Sequence, residues 1–209
     1  MSPHIRHLLF DFGGPVLKSP FELCDAGARG LGIDVGDLSR GPFDPADARW
    51  QARVRGEITE REYWESEAAR FGLDTRGFMR AFYEPSGDHL TRPGAVRLVD
   101  DALAAGRRVG LLTNDLAAFH DVGWQDPISV LRRFDPLIDL SRTGHLKPHR
   151  RAYETAIDAM GCDPGDIVFV DDHVDNVEGG AAAGMIAIWF DVTDPDGSLG
   201  RTREALRLG

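Results

Sequence analysis

Several short segments of this chain carry residues suited to phosphorus and oxygen chemistry. The apolar run Leu8-Leu9-Phe10 ends in Asp11, and Phe12-Gly13-Gly14 follows. A second run, Val109-Gly110-Leu111-Leu112, ends in Thr113-Asn114. A third, Ile167-Val168-Phe169-Val170, ends in the paired acids Asp171-Asp172. Lys147-Pro148 stands just before a helical pattern. Together these offer a nucleophilic carboxylate, hydroxyl and amide donors, a cation and a hard-metal site. A carboxylate can form an aspartyl-phosphate intermediate. Mg²⁺ takes oxygen ligands and keeps waters and substrate phosphate in its shell. A lysine and a metal offset the charge of a transferring phosphoryl group. The expected catalytic set is therefore Asp11, Thr113, Asn114 and Lys147, with Asp11, Asp171 and Asp172 holding Mg²⁺.

Each feature also has a plain structural reading. Asp11 alone could make an Asx turn at a strand end. Thr113 and Asn114 could cap the following helix. Lys147 alone could be a solvated lysine. Asp171 and Asp172 are harder to explain that way, because adjacent acids after a buried strand repel each other unless a cation is near. His145 and His149 have a spacing that can bind zinc on a helix, but Pro148 between them disfavours a helix through Lys147.

The elements that must position these residues alternate. A helical pattern with Val96, Val99 and Leu103 on one face ends near Gly106, and the strand Arg108 to Leu112 follows. Leu137 to Leu140 reads as a short strand. Tyr153, Ala156, Ile157 and Met160 mark a helix that Gly161 closes. Then come the strand Ile167 to Val170, a Gly/Ala-rich helix, the strand Ile186 to Phe190 and a short terminal helix. This alternation predicts an α/β fold, a parallel sheet with helices on both faces. Residues 19–89 break it. They carry aromatic and charged residues at helical spacing, including the capping box Thr59-Glu60-Arg61-Glu62. The expected organisation is a core of residues 1–18 and 90–209 with a helical insert at 19–89.

The order Asp11, Thr113, Lys147, Asp171-Asp172 resembles the motifs of the haloacid dehalogenase superfamily of hydrolases. The run Asp171-Asp172-His173-Val174-Asp175-Asn176-Val177-Glu178-Gly179 is most similar to the fourth motif of its small sugar-phosphate phosphatases. The resemblance implies a Rossmann-like core, a cap at 19–89 that chooses the substrate, and a Mg²⁺-dependent phosphomonoesterase. It implies that Asp11, the Gly13 carbonyl and Asp172 hold the metal, with Asp171 acting through water. Asp175 and Asn176 are expected to shape the loop and hold Lys147. Gly13 departs from the pattern, because most phosphatases of the family carry a general acid there; His173 is one candidate replacement. Carbon–halogen hydrolysis is a second reading, opposed by the paired acids, and a non-catalytic binding protein is a third, for which Gly13 is the main support.

Composition bounds the partners. The chain has 209 residues, 42% of them hydrophobic, enough for a core. A net charge of −10 disfavours nucleic acid and anionic membranes as partners and repels phosphates globally, so the small phosphate ester that the motifs imply as ligand needs local cations and metal. Cys24 and Cys162 are too few for a disulfide framework. With no signal-peptide pattern and no apolar stretch of membrane length, a cytoplasmic location is expected.

Overall fold

The computed structural model describes residues 6–114 and 116–208. Strand β1 (His7–Phe10) is followed by helices α1 (Cys24–Leu31), α2 (Ala48–Val54), α3 (Glu60–Arg70) and α4 (Thr75–Tyr83). The alternating part follows: α5 (Pro93–Ala104), β2 (Val109–Thr113), α6 (Leu116–Phe119), β3 (Leu137–Asp139) and α7 (Arg150–Met160). It closes with β4 (Ile167–Asp171), α8 (Val174–Ala182), β5 (Ile186–Trp189) and α9 (Pro195–Leu206). The chain divides into two compact units, one of Met1–Lys18, Gly87–Ala117 and Gln125–Gly209, the other of Ser19–Ser86 and Ala118–Trp124.

The first unit is an α/β fold on a five-stranded sheet in the order β3-β2-β1-β4-β5. Every pairing is parallel. The inner strands β2 and β4 are buried along their whole length, as is β1 beyond His7, whereas β3 and β5 at the edges are partly exposed. Continuous apolar runs such as Val168-Phe169-Val170 are what a strand covered on both faces requires. Leu9, Leu112, Tyr153, Met160 and Phe169 share one fully buried core. Each large apolar side chain buried there contributes about 1.5–3 kcal/mol. Helix α8 lies close to this core through its glycines: a Cβ on Gly180 would fall 2.5 Å from Phe169 Cδ1. That packing accounts for Gly180, and likewise for Gly179, whose added Cβ would fall 2.6 Å from the Tyr153 hydroxyl. The chain runs outward from β1 through β2 to β3, then returns to build β4 and β5 on the other side. The strand order therefore reverses between β1 and β4, where open α/β sheets bind ligands beyond their carboxyl ends.

The second unit is helical, with no strand among its described residues. Its interior is aromatic: Phe21 and Trp64 have ring centroids 5.0 Å apart, as do Phe78 and Phe82. The capping box forms, with Thr59 N donating to Glu62 at 2.7 Å and Glu62 N to Thr59 Oγ1 at 3.2 Å. Two boundaries differ from the sequence reading. The unit ends at Ser86 rather than near His89, because Lys18 N donates to Leu90 O at 2.9 Å and Leu17 bridges Thr91, which ties the chain after Ser86 into the first unit. It also takes in Ala118–Trp124. Trp124 Nε1 donates to Tyr83 O at 3.2 Å, and Asp121 pairs with Arg76 and Arg80. Among the described residues no helix is long and apolar enough to cross a membrane.

Candidate active site

The carboxyl ends of β1, β2 and β4 meet at Lys147. Asp11 follows β1, and its N–H donates to Val170 O at 2.8 Å, which fixes the end of β1 against β4. The Lys147 ammonium donates to Asp11 Oδ1 at 2.8 Å, Asp171 Oδ2 at 2.7 Å and Leu112 O at 2.8 Å. A lysine has three donors, and all are used. The Lys147 side chain is 1% exposed, so these contacts are made away from water.

The Lys147 backbone is also fastened. Lys147 N donates to Asn114 Oδ1 at 2.9 Å, and Asn114 Nδ2 donates to Lys147 O at 3.1 Å. The Asn114 amide thus grips the peptide that carries the lysine, where the sequence reading expected it on the phosphoryl group. On the other side, Asn176 Nδ2 donates to both Asp171 oxygens, at 3.0 and 3.1 Å, and His173 N donates to Asp171 Oδ1 at 2.9 Å. Asp171 is fully buried and engaged by Lys147, Asn176 and the His173 peptide. Asn176 therefore reaches Lys147 through Asp171. Thr113 is buried at the end of β2. His145 and His149 stack with centroids 4.8 Å apart, and His149 caps α7, which starts beyond it.

Asp11, Asp171 and Asp172 each present an oxygen within 4.8 Å of the others. Gly14 explains how Asp172 fits: its φ is +83°, and a Cβ there would lie 2.5 Å from Asp172 Cγ. Only glycine takes that conformation without strain and leaves that space. Gly13 is exposed and differs, since a Cβ there would meet only Asp11 Oδ2, at 3.9 Å.

The electrostatics follow from this crowding. Burial pushes the Asp11 carboxyl well above the usual carboxylate range; Lys147 pulls it back, and Asp171 and Asp172 push it further up. Burial alone would lower the Lys147 ammonium, but Asp11 and Asp171 outweigh it and hold it above lysine's ordinary value. A nucleophilic carboxylate must be ionised. Two carboxylates share one ammonium and a third, Asp172, stands beside them, which leaves a deficit of positive charge that a divalent cation would remove. The all-oxygen donor set suits Mg²⁺.

A family model described as haloacid dehalogenase-like hydrolase matches residues 5–184. The chain belongs to the haloacid dehalogenase-like hydrolases. It is 25% identical over 179 residues to a phosphatase of Mycobacterium tuberculosis (strain CDC 1551 / Oshkosh), covering 76% of this chain and 77% of the relative. The HAD-hydrolase YfnB of Bacillus subtilis, solved bound to magnesium, superposes with a TM-score of 0.65 at 18% identity, covering 93% of this chain and 89% of that one. A dehalogenase structure superposes at 0.63 with 19% identity, covering 91% and 87%. At these identities the two structures speak to the fold alone. The fold hosts more than one chemistry, so the choice among them rests on the site.

One residue of this neighbourhood escapes a reading of the sequence. Arg92, buried at the start of α5, donates from Nε to Gly14 O at 2.6 Å. Nothing in Thr91-Arg92-Pro93 signals a partner 78 positions earlier.

Proposed function

We propose that this HAD-like hydrolase is a Mg²⁺-dependent phosphomonoesterase that works through a phosphorylated Asp11. The observation that supports this most is the Lys147 ammonium between Asp11 and Asp171, with Asp172 beside them. An Asp11 oxygen attacks phosphorus in line, and the bond from phosphorus to the ester oxygen breaks. The leaving oxygen takes up a proton as the alcohol departs. Water then attacks the phosphorus of the aspartyl-phosphate, freeing inorganic phosphate and restoring Asp11. Lys147 and Thr113 stabilise charge on the phosphoryl oxygens, and Asn114, Asp171 and Asn176 keep Lys147 in place. Asp11, the Gly13 carbonyl and Asp172, with Asp171 through water, would hold Mg²⁺, which would supply the charge compensation that the protein side chains lack.

The substrate is a small phosphorylated metabolite, since a surface of charge −10 disfavours polyanions. The helical unit acts as the cap that selects it. Gly13 offers no carboxyl to the leaving oxygen, which favours substrates whose leaving oxygen is a weak base: anomeric, acyl or aryl phosphates. The test is hydrolysis of p-nitrophenyl phosphate with Mg²⁺ and with chelator. Turnover with Mg²⁺ that chelation abolishes is expected. Undiminished turnover in chelator, or metal-free halide release from 2-chloropropionate, overturns the proposal.

A further inference from the structure

We infer that Arg92 is a positioning residue for the candidate metal site, acting through the Gly13-Gly14 loop on Asp172. The inference rests on the reading of Asp11, Asp171 and Asp172 as a Mg²⁺ site. The loop after Asp11 is held partly by its own buried Phe12, Val16 and Leu17, with Leu17 N donating to Phe12 O at 2.8 Å. Gly13 and Gly14 carry no side chain, and further anchors come from the segment Leu90–Arg92. Lys18 N donates to Leu90 O at 2.9 Å, Arg92 N donates to Val16 O at 2.8 Å, and Leu17 bridges Thr91. These hold the far end of the loop. Arg92 Nε reaches its near end, at the Gly14 carbonyl, 2.6 Å away.

That carbonyl matters because of what Gly14 touches. The Gly14 backbone lies so close to Asp172 that a Cβ would fall 2.5 Å from its carboxylate. A shift of the Gly14 peptide therefore changes the space left to the Asp172 oxygens, and it turns the neighbouring Gly13 carbonyl. Arg92 is itself rigidly placed: it is 6% exposed, and its guanidinium sits 5.2 Å from the centroid of the Phe190 ring. A guanidinium is planar and permanently charged, so it holds a carbonyl in one direction better than a flexible ammonium does. Groups that orient metal ligands typically cost about 10–100-fold in metal affinity when removed.

The test is the affinity of the full-length, metal-free protein for Mg²⁺, measured by calorimetry with Mn²⁺ as a second probe. It compares wild type, Arg92→Lys and Arg92→Gln, with circular dichroism and Tm recorded on each apo protein. Arg92→Gln is expected to weaken binding at least about tenfold, the lower bound of that range. Arg92→Lys should fall between it and wild type. A folded Arg92→Gln protein that binds Mg²⁺ like wild type overturns the inference, and so does a lowered Tm with unchanged affinity. If both variants fail to fold without metal, Arg92 serves the fold and the inference is likewise lost. Wild type that binds Mg²⁺ but hydrolyses no phosphate ester contradicts the proposed function while leaving the role of Arg92 intact. Wild type that binds no Mg²⁺ overturns both.

Discussion

Two titratable side chains, one in each unit, answer burial in opposite ways. Lys147 in the α/β unit keeps its charge, because Asp11 and Asp171 lie within 2.8 Å of its ammonium. His120 in the helical unit gives its charge up. Its ring stacks on Trp124 with centroids 3.6 Å apart and meets the edge of Tyr83. Burial, helped by Arg76 and only partly opposed by Asp121, brings the imidazole down to about 4. Desolvation acts on both; the partners decide the outcome. Charge is retained where two carboxylates face the group and discarded where aromatic rings do.

The comparison breaks most sharply at the residue whose charge the first network serves. Asp11→Asn should leave the fold intact and reduce phosphate-ester turnover by at least about 10³-fold, the scale of removing a nucleophile that works as part of a unit. Ordinary turnover by this variant contradicts the assigned role. Lys147→Met removes the compensation itself. Two buried carboxylates then lose their cation, and loss of one partner from a buried pair costs about 3–5 kcal/mol. Denaturant titration should show that loss, with partial recovery on adding Mg²⁺; an unchanged midpoint denies the network its energetic role.

His120 gives the counterpart. Its folded value of about 4 lies below the ordinary histidine value of 6.5. Between the two, the unfolded chain binds a proton that the folded one does not. Stability is therefore fully present above about pH 6.5 and falls as the pH drops toward 4, by at most about 3 kcal/mol. His120→Gln should flatten this dependence in urea titrations at pH 7 and pH 5. The same slope in the variant assigns it to other groups. Asn114→Ala tests how far the lysine depends on its backbone clamp. Losing two hydrogen bonds costs about 1–3 kcal/mol. Because Lys147 then wanders, kcat should drop while KM moves less; the reverse split would return Asn114 to direct substrate contact.

These contrasts also explain what the sequence discloses. Asp11, Asp171 and Asp172 were legible because apolar runs end in them, and Lys147 because Pro148 and a helical pattern follow it. The parallel sheet brings the ends of β1 and β4 to one edge, where Lys147 meets Asp11 and Asp171. The capping box at Thr59 and Glu62 was legible because it is local. The use made of Asn114 was not, since its amide could equally cap a helix, bind phosphate or hold a backbone 33 residues away. Arg92 was not, because its partner is a carbonyl, which every residue has. Ala118–Trp124 was not assigned to the helical unit, since a seven-residue stretch shows no period and its anchors, Trp124 on Tyr83 and Asp121 on Arg76 and Arg80, are tertiary.

The smallest expected change concerns Gly13. A Cβ there has room, and Gly13 is absent from the positive-φ glycines, so Gly13→Asp should fold. General acid catalysis is worth about 10²–10⁴-fold at full effect, and an untuned carboxyl should reach only the lower part of that range. The gain should appear in kcat/KM for alkyl phosphates and be nearly absent for aryl phosphates. Equal gains for both would mean that leaving-group protonation does not limit the wild type.

Chemical trapping of the intermediate tests the central claim most directly. The wild-type protein is incubated with acetyl phosphate and Mg²⁺, quenched in acid, reduced with borohydride and mapped by peptide mass spectrometry. Borohydride converts a phosphorylated aspartate to homoserine. The expected result is homoserine at position 11, absent in Asp11→Asn and in chelator. Turnover of acetyl phosphate with Asp11 left unmodified, or modification of another acid in its place, contradicts the account.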